Sequence, residues 1–138
     1  MIKQKIAAIA ASALAACATI GATAFATTTG VPKYDFGPIT LTAGGNAYNM
    51  AARVKEDDSP AWVRVYTGPA SGNTYVTFQV LTADGSIATD AVNLYANGEY
   101  YIPYRAGQGI KGKSYFLRFY MEPQSGANSM YISGIWAP

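Results

Sequence analysis

Histidine is absent from the 138 residues, and the single cysteine, Cys17, lies near the start of the chain. These two facts remove the imidazole that most often serves as general base, every Ser-His or Cys-His nucleophile pair, and the usual zinc ligands. Carboxylates are left. Asp35, Asp84, Asp90, Glu99 and Glu122 are the acids from which a two-carboxylate glycan hydrolase would draw, and it would need a pair about 5–9.5 Å apart. Linear spacing selects no such pair, and Asp84, followed by Gly85, is the residue type of a tight turn. Lys113-Ser114 lacks the Ser-x-x-Lys spacing of an activated serine. The run from Gly107 to Gly112 has the glycines of a phosphate loop but neither its Gly-Lys-Ser/Thr ending nor a following helix. Glu56-Asp57-Asp58 could offer oxygen ligands to Ca²⁺. It lacks the alternating spacing and terminal Glu of an EF-hand loop, and Pro60 marks it as a turn. No catalytic, metal or cofactor residue is assigned.

A second constellation is suited to contact. Trp62, Arg64, Tyr66, Tyr75, Tyr101, Arg105, Phe116, Arg118 and Tyr120 all fall on the polar side of alternating segments. Aromatic faces stack on sugar rings, and guanidinium groups bond hydroxyl, carboxylate or phosphate. The same residues also stabilise an exposed sheet face through cross-strand pairs, so the composition alone does not make a ligand surface.

The elements that must position these side chains are strands. From Tyr34 onward apolar residues recur with period two, interrupted at short intervals by Gly, Asn, Asp, Ser and Pro. The pattern predicts strands at Tyr34–Thr42, Ala47–Lys55, Ala61–Thr67, Thr74–Thr82, Ser86–Leu94, Glu99–Arg105, Lys113–Glu122 and Ser129–Ala137. Asp84-Gly85 and Asn97-Gly98 read as hairpin turns. Val63, Val65, Val76, Phe78 and Val80 face the core, as do Tyr100, Ile102, Tyr104, Tyr115, Leu117, Phe119 and Met121. Trp62, Arg64 and Tyr66 then point outward, as do Glu99, Tyr101 and Arg105, and Phe116, Arg118 and Tyr120. Eight short strands predict one all-β domain over residues 34–138, an antiparallel sandwich of immunoglobulin-like or jelly-roll type.

Before that domain, Lys3 and Lys5 precede an uncharged, alanine-rich run from Ile6 to Ala26, the profile of an export signal helix over residues 1–26. Ala24-Phe25-Ala26 fits the small-x-small cleavage rule and would leave a flexible start at residues 27–33. The alternative is Leu14-Ala15-Ala16-Cys17, which resembles a lipobox and would anchor the protein to the envelope through a lipidated Cys17. Without the leader, the chain holds eight basic and eight acidic side chains. That balance excludes nucleic-acid binding driven by phosphate neutralisation.

The leader, the run Arg53-x-Lys55-Glu56-Asp57-x-Ser59 and the ending Ile132-Ser133-Gly134-x-Trp136-x-Pro138 resemble small exported proteins of unknown function from Gram-positive bacteria. The resemblance implies a secreted, β-rich protein, bacteriocin-like or envelope-associated, and carries no catalytic residue. The expected function is a secreted, non-catalytic binding module for an envelope glycan or protein. A toxin-like protein and a carboxylate-dependent glycan hydrolase are the alternatives.

Overall fold

The computed structural model describes residues 30–69 and 73–138. The expected signal peptide, its cleavage site and Cys17 lie outside the described residues. Nine strands form: β1 (Tyr34–Thr42), β2 (Tyr48–Asn49), β3 (Arg53–Val54), β4 (Ala61–Thr67), β5 (Val76–Thr82), β6 (Val92–Leu94), β7 (Gly98–Ile102), β8 (Ser114–Tyr120) and β9 (Ser129–Ala137). They make two antiparallel sheets. One runs β1-β9-β4-β7; the other runs β2-β8-β5-β6, with β3 also pairing β8. Because β2 and β3 lie along the same strand, they act as one interrupted strand. The pairings are then nested: β1 with β9, β2/β3 with β8, β4 with β7, and β5 with β6.

Alternation explains the two-layer packing. On β8, Tyr115, Leu117 and Phe119 are buried while Ser114, Phe116, Arg118 and Tyr120 are half-buried on the other face. The inward residues of the two sheets meet in one cluster that includes Phe36, Val63, Phe78, Leu117, Ile132 and Trp136. At its centre the Phe36 ring lies 5.1 Å from Phe119 and 6.0 Å from Phe78, with Phe78 and Phe119 stacked at 5.3 Å. Each such ring contributes about 1.5–3 kcal/mol through burial.

Three predicted strands, Tyr34–Thr42, Ala61–Thr67 and Ser129–Ala137, form with the expected bounds. The Asp84-Gly85 turn also forms, with Gly85 at φ +93° and Thr82 N donating to Ser86 O at 2.8 Å. The predicted Ser86–Leu94 strand shrinks to Val92–Leu94. Thr89 is the reason: its Oγ1 accepts from Val80 N at 3.0 Å and donates to Asp90 O at 2.9 Å, so a side chain replaces the ladder there. Asn97-Gly98 is not a hairpin. β6 pairs β5 in one sheet while β7 pairs β4 in the other, so these residues carry the chain between layers. The tight-turn signal of Asn-Gly is local, whereas the choice of partner strand is decided by which edge is open.

Two glycines permit the contact between β9 and its neighbours. A Cβ on Gly134 would lie 2.2 Å from Arg64 O and 2.6 Å from the Phe36 ring. Gly37, at φ +80°, sits in the irregularity between Phe36 and Ile39, where a Cβ would lie 2.2 Å from Ile132 O. Backbone cannot yield by that much, so Gly134→Ala should destabilise the fold by about 1–3 kcal/mol. A urea titration would show it as a lowered midpoint, and an unchanged midpoint would refute the close approach.

Candidate contact surfaces

The nine outward residues fall on both sides of the sandwich. Trp62, Arg64 and Tyr66 on β4 and Tyr101 on β7 share the outer face of the four-stranded sheet, with Trp62 opposite Tyr101 and Arg64 opposite Glu99. Phe116, Arg118 and Tyr120 lie on the outer face of the other sheet, opposite Leu81, Gln79 and Thr77. Tyr75 precedes β5, and Arg105 follows β7 in a loop. No single face gathers the set.

Exposure then separates these side chains further. Trp62 points away from the core as expected but is only 6% exposed, so its expected accessibility is corrected. The Lys33 ammonium lies 5.4 Å from its ring centroid, and Trp62 stands directly opposite Tyr101 across the β4–β7 pair. Tyr75 is also 6% exposed; its hydroxyl donates to Glu122 Oε1 at 2.7 Å and its ring packs 5.0 Å from Tyr95. Both residues are therefore structural components of the outer layers. Tyr66 stays half exposed beneath the Arg64 guanidinium, 5.7 Å away, and Arg64 pairs with Glu99 at 3.7 Å. Arg105 pairs with Asp90, at 2.7 Å through Nη2 and 2.8 Å through Nε.

Arg118 differs from both. It stands on β8 between Asn49 of β2 and Gln79 of β5, with its guanidinium carbon 5.9 Å from the Tyr120 ring. Its Nε is buried and donates to no acceptor among the described residues, and no carboxylate among them lies within ion-pair distance. Beside it, Gln79 Nε2 donates to Thr89 O at 3.2 Å, and Thr77 Oγ1 donates to Asn93 Oδ1 at 2.8 Å. The periodicity identified Arg118 itself. The amides and hydroxyl around it come from three other strands, and no signal in linear sequence groups them.

The acidic turn is held by Lys55, the last residue of the predicted Ala47–Lys55 strand. Lys55 is 1% exposed. Its Nζ donates to Ser59 O and, at 3.1 Å, to a backbone oxygen of Pro138, pairs with Asp57 at 3.5 Å and lies 4.9 Å from the Tyr104 ring centroid. Asp57 also accepts from Ser59 N at 3.1 Å and Ser59 Oγ at 2.6 Å. The middle carboxylate of the Glu56-Asp57-Asp58 turn is thus engaged within the protein, and among the described residues no group of three or more His, Cys, Asp or Glu side chains is placed to hold a metal. No signal in linear sequence marks Lys55, because its neighbours Arg53, Val54 and Glu56 are all exposed and it follows the end of β3.

The remaining acids are dispersed. Asp84 accepts from Thr82 Oγ1 and from Ser86 N at 3.0 Å, which holds its carboxyl below the usual range. Glu122 serves Tyr75 and Gln124, Asp90 and Glu99 serve arginines, and Asp35 is exposed on β1. A cleft of about 410 Å³ between the Asp84 turn and the glycine-rich loop is lined by Asp84, Ser86, Gln108 and Lys113 among others. No second carboxylate among the described residues lines it. No protein-family model matches the chain, and no curated protein matches it.

Three phenols should titrate late. The hydrogen bond to Glu122, then burial, pushes Tyr75 up to about 12; burial, then the Glu99 charge, pushes Tyr101 up to about 12. Burial raises Tyr104 strongly as well. Unfolded tyrosines ionise near pH 10, so above that pH the unfolded chain sheds its protons first. The stability these phenols confer is whole below about pH 10 and is lost as pH rises towards 12. Burial lowers Lys55, which acts in the opposite sense: the cost of its buried ammonium is relieved as pH rises towards its unfolded value. Melting curves across alkaline pH should show a net fall that Tyr75→Phe makes shallower. An equal fall in that variant would remove Tyr75 as a cause.

Proposed function

We propose that the protein is an exported, non-catalytic contact module whose working surface is the outer face of the five-stranded sheet. We read the sandwich as a jelly roll, because strands counted inward from the two ends pair in nested order, the pattern of a long hairpin rolled into two sheets. In this reading the mature chain starts near Thr27, after the Ala24-Phe25-Ala26 site, and its partner is an envelope component.

The observation that carries the choice of face is Arg118. On the opposite face Trp62 is covered and Arg64 is paired with Glu99, whereas Arg118 pairs with no acid among the described residues and lies between two half-buried aromatic residues of its own strand. A guanidinium beside aromatic faces, with polar groups on adjacent strands, is the composition of a surface that docks a polar partner. Co-sedimentation of the exported protein with purified cell-envelope material tests the reading. Tyr120→Ala is expected to lose about tenfold in retention, while Tyr66→Ala on the opposite face keeps it; the reverse outcome would move the surface to the four-stranded sheet.

A further inference from the structure

We propose that this face takes a uronic-acid-bearing polysaccharide, with a sugar carboxylate on Arg118 and sugar rings against Tyr120 and Phe116. The inference rests on the contact reading above and adds the chemistry of the partner. It starts from the cations. The chain has four arginines, and Arg64 and Arg105 each face a carboxylate at 3.7 and 2.7 Å. Arg53, exposed on the short strand β3, lies over the Tyr34 ring at 4.3 Å. Arg118 is the arginine that lies within a sheet face with its charge uncompensated by any acid among the described residues, and its Nε is a buried donor without an acceptor. An unmet donor of a charged group costs stability, so its retention calls for an explanation. The next carboxylate along the chain, Glu122, lies beyond the end of β8 and already accepts from Tyr75 and Gln124.

An arginine fork is matched by a planar carboxylate, which accepts two parallel N–H donors. The flanking residues decide what carries that carboxylate. Phe116 and Tyr120 are two positions to either side of Arg118, so each stands about 7 Å along the strand from it. A ligand must then hold its anion directly on a ring with an apolar C–H face, which a uronic acid does. A poly(glycerol phosphate) chain has anions but no ring in its backbone, and an acidic peptide carries its carboxylates on flexible stems without a stacking face. Hydroxyls of a sugar also need acceptors and donors beside the ring. Asn49 and Gln79 supply them from the cross-strand row through Arg118, about 4.8 Å to either side.

The test measures retention of the exported protein on immobilised polygalacturonate, a neutral glucan, poly(glycerol phosphate) and poly-glutamate, with melting curves for every variant. Polygalacturonate is expected to retain the protein, with binding that weakens as salt rises, and the other three are expected not to. Arg118→Gln should lose at least about tenfold on polygalacturonate, and Arg118→Lys should recover only part, because a point charge replaces a bidentate fork. Equal retention on poly-glutamate or poly(glycerol phosphate) would overturn the sugar assignment. Wild-type retention by a folded Arg118→Gln would overturn the role of Arg118. If Tyr120→Ala loses co-sedimentation with envelope material while Arg118→Gln does not, the contact reading stands and the uronate inference fails; if neither variant loses it, both fail.

Discussion

Lys55→Met should lower the unfolding free energy by about 3 kcal/mol, since removing one member of a buried charged group leaves its partners uncompensated. Methionine fills nearly the same space. The variant therefore tests the charge and its hydrogen bonds instead of volume. Without the ammonium, the oxygens of Ser59 and Pro138 lose their donor, Asp57 loses its ion pair, and Tyr104 faces a thioether in place of a cation. The backbone of Lys55 would still be tied to the glycine-rich loop, with Lys55 N donating to Lys113 O and Gly112 N donating to Lys55 O, each at 2.8 Å. The loss should thus come from the side chain alone. Lys113→Met, at an exposed site, is the comparison and should stay within about 0.5 kcal/mol. Adding Asp57→Asn to both Lys55 forms gives the coupling between them. Urea unfolding of the four proteins of this cycle and of Lys113→Met decides the matter, and a Lys55→Met midpoint matching wild type would show that the buried ammonium is energetically neutral.

Phe78→Ala and Trp62→Ala should both be strongly destabilising, for different reasons. Phe78 is fully buried and touches both Phe36 and Phe119 at the centre of the two-sheet core. Its removal leaves a cavity that the paired strands β6 and β8 prevent from collapsing, and the cost is about 3–5 kcal/mol. Trp62 faces the other way, and alternation alone would put its cost within about 1 kcal/mol. Because Lys33, Tyr101 and Ala137 surround it, the expected cost rises to about 3 kcal/mol. Tyr66→Ala, on the same face and half exposed, should remain within about 1 kcal/mol. The ordering Phe78, Trp62, Tyr66 in thermal melts is the expected result. A Trp62→Ala protein as stable as Tyr66→Ala would mean that the covering layer contributes nothing.

These contrasts show where linear pattern suffices and where it stops. The inward sets on β4, β5 and β8 were legible because side chains alternate strictly across a pleated strand, so Val63, Phe78 and Leu117 follow from period two alone. The outward sets were legible in direction but not in exposure. Thr77 at 1% and Leu81 at 4% are buried on the outer side of β5, where Thr77 stands between Asn93 and Tyr120 and Leu81 between Ile87 and Phe116, and which residues flank them is decided by strand pairing.

The sequence by itself determined an all-β sandwich, the bounds of β1, β4 and β9, the Asp84-Gly85 turn and the inward residues of β4, β5 and β8, since each depends on local alternation or on a local turn. Tertiary structure alone decided the nested pairing of strands, the passage between sheets at Asn97-Gly98, the burial of Lys55 and the division of the aromatic and arginine residues between two opposite faces. Those outcomes depend on contacts between residues far apart in the chain. A lysine at position 55 is buried because Ser59, Asp57 and Pro138 converge on its ammonium. Arg118 is left without an acid because the carboxylates were placed beside Tyr75, Arg64 and Arg105 instead.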